Sequence, residues 1–506
     1  MKTVSLAALA FALSASVSFA QDALPQAGNK WFTDAEAVIQ QRLAVQPIVG
    51  KAKNVILFTA DGNGVGTNYA IRLFSGQQAG GLGDDYVQPH ETFPHVALVK
   101  TYSSNGQTPD SAPTAAAMNS GIKTKNGMIN VLDSVNVSDC AAGASAGTKT
   151  FAEIVTDMGK SVGVLSTARI THATPAAVYA RAVNRDWEDN SKLPEGCAQK
   201  DIADQLIEQM KAGVIDVAMG GGRGHFLPKG VKDVEDKEGK RTDGRDLVEE
   251  AKAAGAQVVF GQDDFAALTM GNNAPVLGLF ESSHMKYEAD RTGEPSLAEM
   301  TEAAIKALGQ NENGFYLSVE GGRVDHANHD GNLYRTVTDG KAFADAIAKA
   351  IEMTNAEDTL IIVTADHEHA IAFNGYCGRG SNILGLCMKE NEKGVEHTGE
   401  AEVAADGKPY TVAGFLNGAG AVLVEQADKS FAGARPDLTE EQATDKDYLQ
   451  QALIPMSSET HSGEDVAVYA RGPWAHLFGG VIEQNVIFHV MNHAVNGGEM
   501  KKASAQ

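Results

Sequence analysis

Short, uninterrupted apolar runs recur along this chain, each ending in a small or acidic residue, with amphipathic stretches between them. "KAKNVILFTADGNGVG" opens the series: a strand is expected over Asn54 to Ala60, then a glycine turn and a helix. "SVGVLSTA", "VIDVAMGGG", "AQVVFG", "NGFYLSVEGG" and "DTLIIVTADHE" repeat the pattern, and helical spacing falls over 152–158, 201–211, 297–308 and 333–353. Runs without polar alternation suit strands buried on both faces. Their alternation with helices predicts an α/β fold with a mostly parallel central sheet covered on both sides. Chemistry in such folds gathers beyond the carboxyl ends of the strands. Residues 375–460 break the rhythm, being rich in Gly, Glu and Asp, and are expected to form an insertion on the main domain. There is no internal repeat or low-complexity tract.

A chain of 506 residues is ample for one large α/β domain with insertions. Its 42 basic and 65 acidic residues leave a net charge of −23. That balance argues against a nucleic-acid partner, which requires Lys/Arg-rich faces. The plain reading is a solvated, self-repelling surface; the sharper one is adaptation to salt. The first twenty residues, "MKTVSLAALAFALSASVSFA", hold one lysine and then an apolar run that closes on Ser18-Phe19-Ala20. They read as a secretory signal cut after Ala20, leaving a catalytic domain over 21–506 in the periplasm or outside the cell. No later stretch approaches the roughly 18 apolar residues of a membrane span. Four cysteines allow three connectivities, of which nearest-neighbour pairing, Cys140–Cys197 and Cys377–Cys387, is the one expected.

Within "QTPDSAPTAAAMNSG", Ser111 has the setting of a nucleophile but neither a glycine elbow nor a nearby histidine. Other chemistry-bearing residues fall at strand ends. Asp61 follows the first strand, Glu320 ends "YLSVE", and Asp325 and His329 form an Asp-x-x-x-His pair. Asp366 and His367 follow "LIIVTA", and His461 sits in "SSETHSGED". A strand-end carboxylate is most often a helix cap and a lone histidine most often structural, so His369 and His326 are assigned no ligand role. Together the set looks different: imidazole with carboxylate suits Zn²⁺, an oxygen-rich corner suits Mg²⁺, and two metals about 4 Å apart bracket an in-line displacement at phosphorus. Metals would then replace the missing base of Ser111, and the helix-prone run behind it could turn amide hydrogens toward an anion.

These residues resemble the alkaline phosphatases over roughly 50–495. "DSAPTAAAM" is similar to the nucleophile motif; "THATPAAVYARAVNRDW", "MGGGR", "LFESSHMKYEADR", "VEGGRVDHANH" and "TADHEHA" follow in the family's order. The resemblance implies that Ser111 is the nucleophile and that Arg185 clamps phosphate through a planar guanidinium. It implies that Asp325, His329 and His461 hold a first zinc and Asp61, Asp366 and His367 a second. Asp61 would bridge to a magnesium completed by Thr174 and Glu320. Hydrolysis of phosphate monoesters through a phosphoserine, with broad range and an alkaline optimum, is implied too, as is a homodimer. His172 stands where animal and several marine bacterial members carry histidine; it and His326 are expected to act through water. Some relatives hold a fourth metal, calcium or magnesium, and Phe280 (by its carbonyl) and Glu281 match part of that site. The 375–460 insertion corresponds to the family's crown region.

Competing motifs are weaker. "GASAG" fits G-x-S-x-G but follows a loop, not a strand. "DGNGVG" lacks dinucleotide spacing, and "GGGRG" lacks a Walker lysine. A sulfatase needs C/S-x-P-x-R, and Ala115 stands where that arginine belongs. Metal-dependent phosphodiesterases share the metal logic, but Arg185 speaks for a monoester. A secreted metal-binding protein without catalysis is disfavoured because nucleophile and ligands are all present.

Overall fold

The computed structural model describes residues 24–269 and 274–499, so the expected leader lies outside the described residues. Two units emerge. The first, ending at Gln46, holds one helix, Lys30–Ala44, which is capped by the Asn29 side chain and buries none of its residues. The second begins at Pro47 and contains everything below.

Its centre is a ten-stranded sheet of β1 (Asn54–Ala60), β2 (His95–Lys100), β3 (Ser161–Arg169), β4 (Val217–Gly221), β5 (Gln257–Val259), β6 (Val276–Leu279), β7 (Phe315–Gly321), β8 (Thr359–Ala365), β9 (Val466–Arg471) and β10 (Val481–Glu483). The order across the sheet is β10-β2-β9-β8-β1-β7-β3-β4-β6-β5. Every pairing is parallel except the two made by β9, which runs against β2 and β8. The mostly parallel sheet expected from the apolar runs is therefore present, with one reversed strand inserted near an edge.

Both faces are covered, and β1 shows why its sequence carries no polar alternation. Val55 and Leu57 enter one core with Ala112, Ala115 and Met118 of the helix Ser111–Ser120. Ile56, Phe58 and Ala60 enter the opposite core with Leu297 to Leu308 and Phe343 to Ala350 of the helices Leu297–Leu308 and Leu333–Met353. A side-chain period of two sends neighbours to opposite faces, so a strand covered on both sides must be apolar throughout. Each buried Val, Leu, Ile or Phe contributes on the order of 1.5–3 kcal/mol.

Residues 375–460 add no strand to this sheet. They help build a small one of Ile371–Phe373, Ala413–Gly418 and Ala452–Pro455, with a hairpin of Val424–Glu425 and Phe431–Ala432. Both disulfides pair nearest neighbours, Cys140–Cys197 and Cys377–Cys387. Among the described residues no helix is long and apolar enough to cross a membrane.

Candidate active site

The carboxyl edge of β8, β1, β7 and β3 gathers the residues singled out in the sequence. Asp61 leaves β1, Glu320 is the penultimate residue of β7, and Asp366 and His367 leave β8. The short helix Arg323–His329 after β7 brings Asp325, His326 and His329. Because β9 is reversed, His461 approaches the same edge from its amino side, in a two-residue ladder opposite His369.

Ser111 opens its helix and is buried, with Oγ 3.2 Å from Asp61 Oδ1 and 3.2 Å from His367 Nε2. Asp110 caps the helix by accepting from Ala112 N at 2.8 Å. Pro113 lies in the first turn, where its missing N–H breaks no intrahelical bond. With Ala112 N–H committed and Pro113 without one, that turn offers fewer free donors to an anion than expected. Positive charge comes instead from Arg185, whose guanidinium lies 3.2 Å from Asp110 and 3.0 Å from His172 Nε2. Against the cost of burial, Asp110, Asp61 and Asp325 hold Arg185 charged.

Among the described residues, three sets of side chains have ligand atoms close enough to share a cation: Asp325, His329, His369 and His461; Asp61, Asp366 and His367; and Asp61, His172 and Glu320. Thr174 Oγ1 reaches Asp61 Oδ2 at 3.4 Å, beside the third set. Two properties of these sets favour metal. First, the imidazoles are turned outward by their backbone contacts. His329 Nδ1 donates to Glu459 O at 2.6 Å and His461 Nδ1 to Pro109 O at 2.9 Å. Their Nε2 atoms then lie 3.0 Å apart and 3.4 and 3.2 Å from Asp325 Oδ1, which despite burial holds His461 above the usual imidazole value, so two ring nitrogens and a carboxylate oxygen converge on one point suited to a cation. Second, the acids repel one another. Burial and the Asp325 charge push Asp61 up to about 6. Burial and Asp61 push Asp366 up to about 7 and Glu320 well above the carboxylate range. Glu320 Oε1 and His172 Nδ1 are buried without hydrogen-bond partners. Desolvated carboxylates with orphaned ligand atoms are short of positive charge, and the donor set fits nitrogen- and oxygen-preferring divalent ions.

His369, given no role above, belongs here. Its Nε2 lies 2.8 Å from Asp325 Oδ1 and its Nδ1 2.5 Å from Glu459 Oε2. Despite burial, those two carboxylates hold its pKa well above the usual imidazole value. The available signal was the His-x-His spacing of "DHEHA", which in extended chain puts both rings on one side. His326 sits one layer out, its ring 4.0 Å from that of His284 and 5.5 Å from that of His172, and burial lowers it to about 3.

Phe280 and Glu281 lie apart from these sets. Glu281 Oε1 is 2.8 Å from Lys286 Nζ, and burial and Glu235 raise its carboxyl. Glu294, which sequence reasoning also missed, is pushed up to about 7 by burial and Glu281, and its Oε2 is buried without a partner.

Comparisons with known proteins give the family and the fold. A family model described as alkaline phosphatase matches residues 52–496. The alkaline phosphatase of Gadus morhua is 40% identical over 500 residues, covering 95% of this chain and 98% of that protein. The tissue-nonspecific isozyme of Gallus gallus is 38% identical over 512 residues, covering 98% and 94%. Among solved structures, the alkaline phosphatase of the Antarctic bacterium TAB5 superposes with a TM-score of 0.60 at 23% identity, over 89% of this chain and all of that one. That of Thermus thermophilus reaches 0.62 at 22% identity, over 90% and 93%. The structural likenesses establish the fold, and the relatives near 40% identity together with the family model establish that this chain belongs to the alkaline phosphatase family of phosphate-monoester hydrolases.

Proposed function

We propose that the chain hydrolyses phosphate monoesters through a phosphoserine formed on Ser111, at a site of two zinc ions and one magnesium. The observation that carries the reading is the convergence of His329 Nε2, His461 Nε2 and Asp325 Oδ1 within 3.4 Å of one another, near a buried Ser111 whose Oγ lies 3.2 Å from both Asp61 Oδ1 and His367 Nε2. The imidazole nearest Ser111 is His367, which burial lowers to about 3, too weak a base to activate a hydroxyl.

Asp325, His329 and His461 would hold the first zinc, Asp61, Asp366 and His367 the second, and Asp61, Thr174 and Glu320 the magnesium. Bound there, these ions supply the positive charge that acidifies the serine hydroxyl and offsets charge on the departing oxygen. Ser111 Oγ attacks phosphorus in line, the alcohol leaves, and water cleaves the phosphoserine from the opposite side. Arg185 orients the ester by donating two N–H groups to non-bridging oxygens, its fork held by Asp110 and His172. A monoester keeps a third non-bridging oxygen beyond those two, which a diester has esterified. His172 and His326 act on phosphate through water. His369 fixes Asp325 by hydrogen bonding. A substituted form of the TAB5 enzyme holds magnesium in its site named M3, which supports magnesium here.

The reading extends to a fourth metal, calcium or magnesium, at Phe280 O and Glu281 with Glu294 nearby, and to a homodimer with 375–460 as its crown. The mature domain is 21–506, secreted or periplasmic, which the two disulfides support. The test compares 4-nitrophenyl phosphate with the matching diester and sulfate ester. The monoester should be far the fastest, chelation should abolish turnover, zinc plus magnesium should restore it, and Ser111→Ala should remove it. Near-wild-type turnover by Ser111→Ala would sink the mechanism, and a preference for the sulfate ester would sink the site assignment.

A further inference from the structure

We infer that Arg323 forms a second anion subsite beside the phosphate seat, taking a carboxylate or phosphate group carried by the alcohol half of the substrate. The inference rests on the site proposed above and adds a specificity to it.

Arg323 is the first residue of the short helix that carries Asp325, His326 and His329, so its backbone is fixed to the wall of the site. Its guanidinium carbon stacks 3.7 Å from the centre of the Tyr287 ring, and Tyr287 is itself anchored by donating its hydroxyl to Asp330 Oδ2 at 2.6 Å. Arg323 is only partly buried, yet its Nε is enclosed without a hydrogen-bond partner, and among the described residues no carboxylate lies within ion-pair distance of it, although its charge acts on the buried Asp339. The contrast with nearby arginines is informative. Arg335 lies against the same ring at 5.7 Å and is paired with both Asp290 and Asp447. Arg169 is paired with Glu188 and Arg185 with Asp110. In a chain with 65 acidic residues against 42 basic ones, an arginine pre-oriented at the rim of an active site and left unpaired is unusual.

The surroundings are chemically consistent. The His284 and His326 rings lie 4.0 Å apart at a tilt of 56°, His326 Nδ1 is also buried without a partner, and Arg169 contacts His284 Nε2. Stacking occupies the flat face of a guanidinium, and with Nε enclosed it is the two terminal nitrogens of Arg323 that would meet two oxygens of one anion. The ring also pre-pays much of the side-chain entropy that anion capture would otherwise cost.

The experiment uses the full, metal-loaded chain and two substrates that differ by one group, glycerol 1-phosphate and 3-phosphoglycerate, the second bearing a carboxylate in place of a terminal carbinol. The quantity read is the ratio of their kcat/KM values. Wild type should favour 3-phosphoglycerate, and the preference should shrink as salt rises. Arg323→Gln should lower the ratio about tenfold, as expected for one charge-assisted contact, and Arg323→Lys should recover part of it. Tyr287→Leu, which removes the stack without touching the charge, should lower it less. A ratio within twofold of wild type in Arg323→Gln overturns the subsite, as does an equal loss on both substrates. Should wild type hydrolyse neither, the catalytic site assignment fails instead.

Discussion

Replacing His369 with alanine tests the link between buried hydrogen bonds and metal binding. His369 stands between two carboxylates, with Nε2 2.8 Å from Asp325 Oδ1 and Nδ1 2.5 Å from Glu459 Oε2. Glu459 is 1% exposed and also accepts from Ala370 N at 2.6 Å, so it cannot turn to solvent when its partner is lost. On the Asp325 side the change removes one charge-assisted hydrogen bond worth about 1.5–3 kcal/mol. Asp325 would then be less well oriented toward the cation shared with His329 and His461, and zinc affinity there should fall about tenfold to a hundredfold. On the Glu459 side a buried carboxylate loses its cationic partner, which costs about 3–5 kcal/mol of stability. Competition of apoprotein with a chromophoric chelator reads the first effect, and denaturant unfolding of the metal-free protein reads the second. Activity on 4-nitrophenyl phosphate should return when zinc is raised. His369→Gln retains one donor and should fall between the two. Unchanged zinc affinity in His369→Ala, whatever happens to stability, would refute the coupling.

Arg185→Lys keeps the charge but loses the fork, and should lower kcat/KM about tenfold to a hundredfold while weakening inhibition by inorganic phosphate in parallel; an unaltered inhibition constant would remove Arg185 from the phosphate seat. His90 is buried and held neutral, lowered to about 4 from 6.5. It contributes stability above pH 6.5 that is lost as pH falls toward 4, about 3 kcal/mol in all. Wild type should therefore lose more than His90→Gln over that range in denaturant titrations, and parallel curves would contradict the assignment. The Cys140–Cys197 bond closes 57 residues and Cys377–Cys387 closes 10, so removing the first should cost about 4 kcal/mol and the second about 3 by loop entropy. A larger loss for the short loop would show that native packing, not chain entropy, dominates.

Local pattern carried much of the fold. The strand expected over Asn54–Ala60 and the helices over 297–308 and 333–353 have those bounds, and the helix expected over 201–211 begins one residue later, at Ile202, because Asp201 is its cap. The stretch at 152–158 came out as Phe151–Thr156, starting one residue earlier because Thr150 caps the helix in a capping box with Glu153. His369 was not legible as part of the site because its role depends on Glu459, which lies 90 residues away along the chain. The same holds for Glu294, whose burial next to Glu281 follows from a loop and not from any spacing.

What the sequence determined by itself was the fold class, the strand ends that deliver acids and imidazoles, and through its motifs the family. These follow from interactions between residues close in the chain: periodicity, caps and turns. What only the tertiary structure decided was which ring nitrogens converge on one point, which acids repel one another, and which arginine lacks an ion-pair partner. Those depend on burial and on distances of a few ångströms between segments far apart in sequence. His329 and His461 face each other because β9 runs opposite to its neighbours. Arg323 lies over the Tyr287 ring without an ion-pair partner, while Arg335, against the same ring, is paired with Asp290 and Asp447.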